Sequence, residues 1–351
     1  MEEEEYFKGR GAQIKTPNKF LKAQYVSEHI EGLDEPMFSS PQTQVFYENA
    51  RKVVNKVTSP DLSMMYSINP YQGCEHGCIY CYARNTHEYW GFNAGLDFES
   101  KIIVKKNAAE LVEKFIMHSA WSPVPLSVSG NTDCYQPLER KLEITRSILK
   151  VFAKYRHPVG MITKNSLVTR DIDLLQDLAQ DNLVHVYVSI TTLEEGLRRV
   201  MEPRTASGIK RLQTLEQLAK AGVPVGVMCA PIIPGLNQHE IPAILKAAAD
   251  HGALTAGMTI VRLNGSIGGI FEDWLRKNFP DRFDKVWHQI CEMHGGNVND
   301  SQWGRRMSGE GTYADIINKL FKASRRRFFG ERSMPAYNLT KFRKNGNLSL
   351  F

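Results

Sequence analysis

The chain predicts an α/β fold: a partial barrel of six βα units with an N-terminal extension and a basic C-terminal tail. Three observations carry this expectation. Six short apolar runs, Met64–Asn69, Pro125–Ser129, Pro158–Thr163, Val184–Thr191, Val223–Ala230 and Met258–Leu263, are rich in Val, Ile and Met. They lack strict in–out alternation, as expected of parallel strands buried on both faces. Amphipathic helical patterns separate them, and past Leu263 only helical patterns follow. A closed eight-stranded barrel needs two further units, so an open six-unit arrangement fits best.

Taken in order, residues 1–60 are polar and weakly periodic, and read as an extension that partly packs on the core. Residues 61–300 form the core, and 301–351 a C-terminal helix with a basic tail. Leu111, Val112, Phe115 and Ile116 make one helical face, and Leu138, Leu142, Leu149 and Phe152 the next stripe. Ile209, Leu212, Leu215 and Leu218 follow, and that helix stops at Gly222, a residue suited to a left-handed cap. Ile241, Ile244, Leu245 and Ala248 give another helix after the turn Pro234-Gly235. In such a sheet, ligands bind at the C-terminal ends of the strands.

With 351 residues, 42% of them hydrophobic, the chain can bury one large core. It holds no apolar run of the roughly 18–20 residues that cross a bilayer. Met1–Tyr6 is acidic, the opposite of a signal or transit peptide. Cys134, Cys229 and Cys291 are far apart and show no pairing pattern, which points to a reducing, cytoplasmic setting. The net charge of +6 is uneven: Lys319–Phe351 carries nine Lys or Arg against the single acid Glu331.

Chemistry concentrates in Cys74-Glu-His-Gly-Cys78-Ile-Tyr-Cys81, just after the first strand. Three thiols this close suit a metal-binding loop better than disulfides. A four-iron cluster usually takes four cysteines, so three would leave one iron open to a small molecule. A structural zinc would need a fourth ligand, for which His76 or His87 is at hand. Gly73 and Gly77 let the backbone turn sharply and approach a cluster closely. Polar groups recur at the other strand ends: Ser129 to Cys134, Thr163-Lys164-Asn165, Ser189 with Thr191, and Cys229-Ala230-Pro231. Asp133, Lys164 and Ser189 supply an acceptor for an ammonium, a cation for a carboxylate and a hydroxyl partner. A zwitterion carrying a ribose needs one of each.

The CxxxCxxC spacing strongly resembles that of the radical S-adenosylmethionine enzymes. The resemblance implies a partial (β/α)6 TIM-like barrel and a [4Fe-4S] cluster on Cys74, Cys78 and Cys81. In that superfamily, S-adenosylmethionine chelates the open iron and reductive cleavage yields a 5′-deoxyadenosyl radical. The electron would come from a flavodoxin or ferredoxin. Further along, Glu202-Pro-Arg-Thr205, Lys210-Arg211, Leu218-Ala-Lys-Ala-Gly222 and Ala230-Pro-Ile232 are similar to the corresponding region of spore photoproduct lyases. Those are radical enzymes that split a thymine dimer in DNA. Thr163-Lys164 and the strand holding Ser189 match as well.

By that likeness, Lys164 and Ser189 would hold the carboxylate of S-adenosylmethionine. Thr132 and Asp133 would lie near its ammonium, Ala230 would line the cofactor site, and Tyr80 and Tyr82 would relay a hydrogen atom. The similarity covers roughly residues 62–262. With Asn69-Pro-Tyr-Gln-Gly73 and Asp133-Cys-Tyr-Gln-Pro137 it looks like a bacterial photolyase-like branch with no assigned substrate. One departure matters: the hydrogen-donor cysteine of those lyases falls where this chain has Gly130. The nearest thiol, Cys134, either donates from a shifted loop or packs as a small hydrophobe.

The expected substrate is a damaged base in DNA; the alternatives are radical chemistry on a protein or metabolite, and a non-enzymatic metal-binding module. Lys322 to Phe329 interleaves cations with aromatics, as do Tyr337, Lys341, Phe342, Arg343 and Lys344, a pattern suited to phosphates and bases. Asn347-Leu348-Ser349-Leu350-Phe351 resembles the pentapeptide by which bacterial repair proteins dock on the sliding clamp, with Asn347 in place of Gln.

Overall fold

The computed structural model describes residues 6–20, 42–62 and 64–344, and the terminal pentapeptide lies outside them. Ten strands form among the described residues: β1 (Gln44–Glu48), β2 (Val54–Lys56), β3 (Tyr66–Ile68), β4 (Tyr71–Gln72), β5 (Lys101–Lys105), β6 (Leu126–Val128), β7 (Val159–Thr163), β8 (Val184–Ser189), β9 (Val225–Ile232) and β10 (Thr255–Ile260). The helices are α1 (Leu96–Ser100), α2 (Ala108–Ile116), α3 (Glu139–Leu142), α4 (Ile144–Tyr155), α5 (Ile172–Gln180), α6 (Glu195–Met201), α7 (Gly208–Lys220), α8 (Ile241–Asp250), α9 (Ile267–Asn278), α10 (Phe283–Met293) and α11 (Gly311–Phe329).

Seven strands make one open sheet in the order β10-β9-β8-β7-β6-β3-β2. The six from β3 to β10 run parallel, and β2 adds antiparallel to β3. All six expected strands are therefore present in one partial barrel, with helices crossing between them. The last begins at Thr255 rather than Met258. There Leu254 N–H already bonds the Val225 carbonyl, while Leu263 N–H bonds Val298 outside the sheet. The main core packs Val, Ile and Leu of these strands against α2, α4, α5, α7 and α8.

Among the described residues before position 61, β1 joins β5 and β4 in a separate three-stranded sheet and β2 lengthens the main one. Two expectations about helices are corrected. The stripe from Leu138 to Phe152 is two helices, broken at Glu143 with φ +51°. The buried Glu139 carboxylate accepts from Ile144 N–H and Thr145 N–H and starts the second helix afresh. Ile209 is 67% exposed, unlike Leu212, Leu215 and Leu218. It sits in the first turn, just past the Ser207 cap that accepts Lys210 N–H. Gly222 does adopt the left-handed conformation, at φ +77°.

The C-terminal segment is ordered by packing. One stripe of α11, namely Ala314, Ile317, Phe321 and Ser324, is buried. Beyond it the chain crosses the N-terminal ends of the strands. Tyr337 stacks on His185 at 3.9 Å, Phe342 meets His157 edge-on, and Arg343 N–H bonds the Tyr155 carbonyl. Tyr337 and Phe342 of the tail are thus turned inward, while Arg332 and Lys344 bond the carbonyls of Ala249 and Ser119.

Candidate active site

The cysteine loop leaves the C-terminal end of β3 through the short β4. Gly73 (φ +79°) and Gly77 (φ +68°) take conformations that favour glycine. A Cβ on Gly77 would stand 2.7 Å from the Glu99 carboxylate. That carboxylate is fully buried and accepts from Gly11 N–H, Ala12 N–H and the Arg84 guanidinium. Arg84 also donates to the carbonyls of Cys78, Ala94 and Gly95. A buried ion pair therefore fixes the floor of the loop and ties the N-terminal segment to it.

Cys74 and Cys78 are buried and Cys81 is half-buried. Cys74 packs with Ala83 and Phe98, and Cys78 with Ile79 and Tyr80. Burial raises all three thiol pKa values, which bound iron would reverse. The two nearby histidines differ: His76 is engaged through both ring nitrogens, whereas those of His87 are buried without a hydrogen-bond partner. His76 has Nδ1 at 3.4 Å from Asp133 Oδ2 and Nε2 at 3.1 Å from Asn165 Nδ2. His87 is boxed by Phe92 and Phe98, and burial lowers its pKa to about 4. Three thiols at CxxxCxxC spacing fit a cluster with one open iron.

The strand-end residues converge beside this loop. Asp133, after β6, accepts from Thr163 Oγ1 (2.7 Å), Lys164 N–H (2.7 Å) and Tyr135 N–H (2.8 Å). Burial alone would raise its pKa. The facing His76 and these hydrogen bonds outweigh burial and hold the carboxyl below its usual range. Lys164, after β7, reaches the Ala230 carbonyl at 3.4 Å and Glu202 Oε1 at 3.7 Å. Ser189 ends β8, almost fully buried, and its carbonyl accepts from Arg211. Thr132 is buried with its hydroxyl on the Tyr71 carbonyl.

The two tyrosines part company. Tyr80 is 8% exposed, and its hydroxyl donates to Glu202. Tyr82 is 48% exposed, and its hydroxyl donates to the Gly130 carbonyl. Cys134 is fully buried in the main core, its amide on Ser129 Oγ and its carbonyl on Thr145 Oγ1. A side chain at position 130 has no room, since a Cβ there would lie 2.7 Å from Ser67 Cβ.

Sequence reasoning quoted Glu202 and Arg211 only within a resembling stretch, His76 only as a candidate zinc ligand and Asn165 only as a strand-end polar group, and gave none of them a place in the site's framework. Glu202 is wholly buried and accepts from Tyr80, Thr191, Thr205 and Arg211. Burial would raise its pKa, but Arg211 and Lys164 hold it low. It is thus a fixed anion behind the loop.

The family model described as the radical SAM superfamily matches residues 68–248, just over half of the chain. The chain belongs to the radical SAM superfamily. The cofactors of this radical SAM enzyme are accordingly a [4Fe-4S] cluster and S-adenosylmethionine. An uncharacterized protein of Mycobacterium tuberculosis is 32% identical over 66% of this chain and 69% of its own. Another, from Methanocaldococcus jannaschii, is 29% identical over 68% and 84%. Among solved structures, spore photoproduct lyase complexed with dinucleoside spore photoproduct aligns with a TM-score of 0.61. It covers 86% of each chain at 16% identity. A double mutant of that lyase with bound AdoMet and dinucleoside spore photoproduct aligns at 0.58. It covers 84% of this chain and 81% of its own, at 19% identity. These likenesses establish a shared fold. No described helix is long and apolar enough to cross a membrane.

Proposed function

We propose that this radical SAM enzyme acts on a damaged base in DNA. One observation carries the reading: the half-exposed Tyr82 projects from the cluster loop, with its hydroxyl on the carbonyl of Gly130. Gly130 is where the resemblance would place a donor thiol. The spore photoproduct lyase fold, spanning most of both chains, supports the choice of substrate class.

Cys74, Cys78 and Cys81 would hold the cluster, which supplies the electron for cleaving S-adenosylmethionine. Lys164 binds the carboxylate of that cofactor, and Ser189, Ala230, Thr132 and Asp133 line its site. Asp133 also couples the loop to β7 through His76 and Thr163, so it keeps the site in register. Tyr82, half-exposed with its O–H on the Gly130 carbonyl, is the residue placed to return a hydrogen atom to the product. Tyr80, locked on Glu202, holds the loop. With Ser67 closing the space at position 130, the lesion differs from the one that needs a thiol there. A flavodoxin or ferredoxin in the cytoplasm serves as electron donor, and the terminal pentapeptide docks on the sliding clamp.

The test is lesion analysis. Ultraviolet-irradiated DNA is incubated anaerobically with reconstituted enzyme, S-adenosylmethionine and a reductant, then digested and examined by mass spectrometry. One lesion class should fall with time. Unchanged lesions while 5′-deoxyadenosine accumulates would move the substrate to a protein or metabolite.

A further inference from the structure

Helix α11 lies along β10, the edge strand of the main sheet. Between them opens a cleft of about 540 Å³, lined by Ala256 and Met258 of the strand and by Phe321, Lys322, Arg325 and Arg326 of the helix. Its volume is in the range that takes a nucleotide-sized ligand. The cleft is not part of the candidate active site. Met258 pairs with Cys229 and Ala256 with Val227, so both lie on the sheet face opposite Ala230.

The charge here is concentrated on one rim. Several exposed helical cations elsewhere pair with a carboxylate one turn away, as in Lys220–Glu216, Lys246–Asp250, Arg276–Glu272 and Lys277–Asp273. On α11, Lys319, Lys322, Arg325, Arg326 and Arg327 are all exposed, and among the described residues none pairs with a carboxylate. Among the described residues, Arg325 reaches the Thr255 hydroxyl, at 3.5 Å. Helical spacing sets Lys322 beside both Arg325 and Arg326, so three cations share one rim. Their mutual repulsion is relieved when a polyanion binds across the rim.

We infer that this cleft binds the phosphodiester backbone of a nucleic-acid strand, outside the radical site. Lys322, Arg325 and Arg326 contact successive phosphates, and Met258 with the edge of Phe321 gives one unstacked nucleotide an apolar floor. On the same helix face the cations continue beyond the cleft through Lys319, one turn before Lys322, which suits a polymer better than a single small anion. The inference does not rest on the identity of the reacting substrate.

The test compares full-length enzyme with the variant K322Q/R325Q/R326Q, using a fluorescent single-stranded DNA of about 16 nucleotides. Each phosphate contact in single strands contributes about 0.7 to the slope of log affinity against log salt, so the slope should fall by about 2. Affinity at low salt should drop at least tenfold. Release of 5′-deoxyadenosine in the absence of DNA should match the parent, which reports an intact fold and site. An unchanged slope and affinity would overturn the inference. So would displacement of the oligonucleotide by free adenosine monophosphate at matched phosphate concentration, which would indicate a small-nucleotide pocket.

Discussion

Lys164 Nζ stands 3.7 Å from Glu202 Oε1, with its side chain 15% exposed against none for the glutamate. The ammonium is therefore held from behind by a fixed anion and faces the site with protons to donate. A charge-assisted hydrogen bond from it contributes roughly 1.5–3 kcal/mol. Lys164→Ala should weaken binding of S-adenosylmethionine about 10- to 150-fold, read by equilibrium titration of protein that retains its cluster. Unchanged affinity would show that the lysine serves the loop alone.

The three loop thiols and the three remaining cysteines should separate cleanly. Cys74→Ser, Cys78→Ser and Cys81→Ser should each bring iron after anaerobic reconstitution from about four per chain to background. Cys229→Ser and Cys291→Ser should keep it. Cys134→Ala should keep it as well, with some loss of stability from a small core void. Full iron in any loop variant would contradict the ligand assignment.

Gly130 and Ser67 should be energetically coupled. The 2.7 Å approach of a Cβ at position 130 to Ser67 Cβ forces a shift, so Gly130→Ala should destabilise by roughly 1–3 kcal/mol. Ser67→Gly should relieve much of that cost in the double variant, as measured by urea unfolding. Additive effects would mean the space at position 130 is set elsewhere.

His157 gives a pH dependence whose sign follows from its surroundings. Its ring is fully buried, accepts from Trp121 Nε1, and lies 2.9 Å from the Pro158 carbonyl through Nδ1. Burial lowers its pKa to about 4. Between the ordinary pKa near 6.5 and about 4, the unfolded chain binds more protons at this position than the folded one. Stability therefore falls as pH drops through that window, by about 2 kcal/mol at pH 5. His157→Gln should lose correspondingly less stability than the parent between pH 7 and pH 5. Equal losses would show that His157 does not carry this dependence.

Much of the barrel is legible because its strands are buried on both faces and so read as continuous apolar runs. The cysteine loop is legible because ligand spacing is local. What escapes is long-range or weakly patterned. Strand β1 has a mostly exposed face and reads as polar extension. Glu202 meets Tyr80 across 122 positions, and Glu99 meets Gly11 across 88, so no local pattern announces either contact. The tail reads as cations interleaved with aromatics. Only packing distinguishes Phe329 and Tyr337, which are turned inward, from the cations that remain outside.

The most direct test of the account is the DNA dependence of cofactor cleavage. Reconstituted enzyme, S-adenosylmethionine and a reductant are combined anaerobically with no DNA, undamaged DNA or ultraviolet-irradiated DNA, and 5′-deoxyadenosine is quantified. The account predicts release in all three arms, with a marked rise only for irradiated DNA and none from the Cys78→Ser variant. Equal release with and without irradiated DNA would contradict a DNA lesion as substrate.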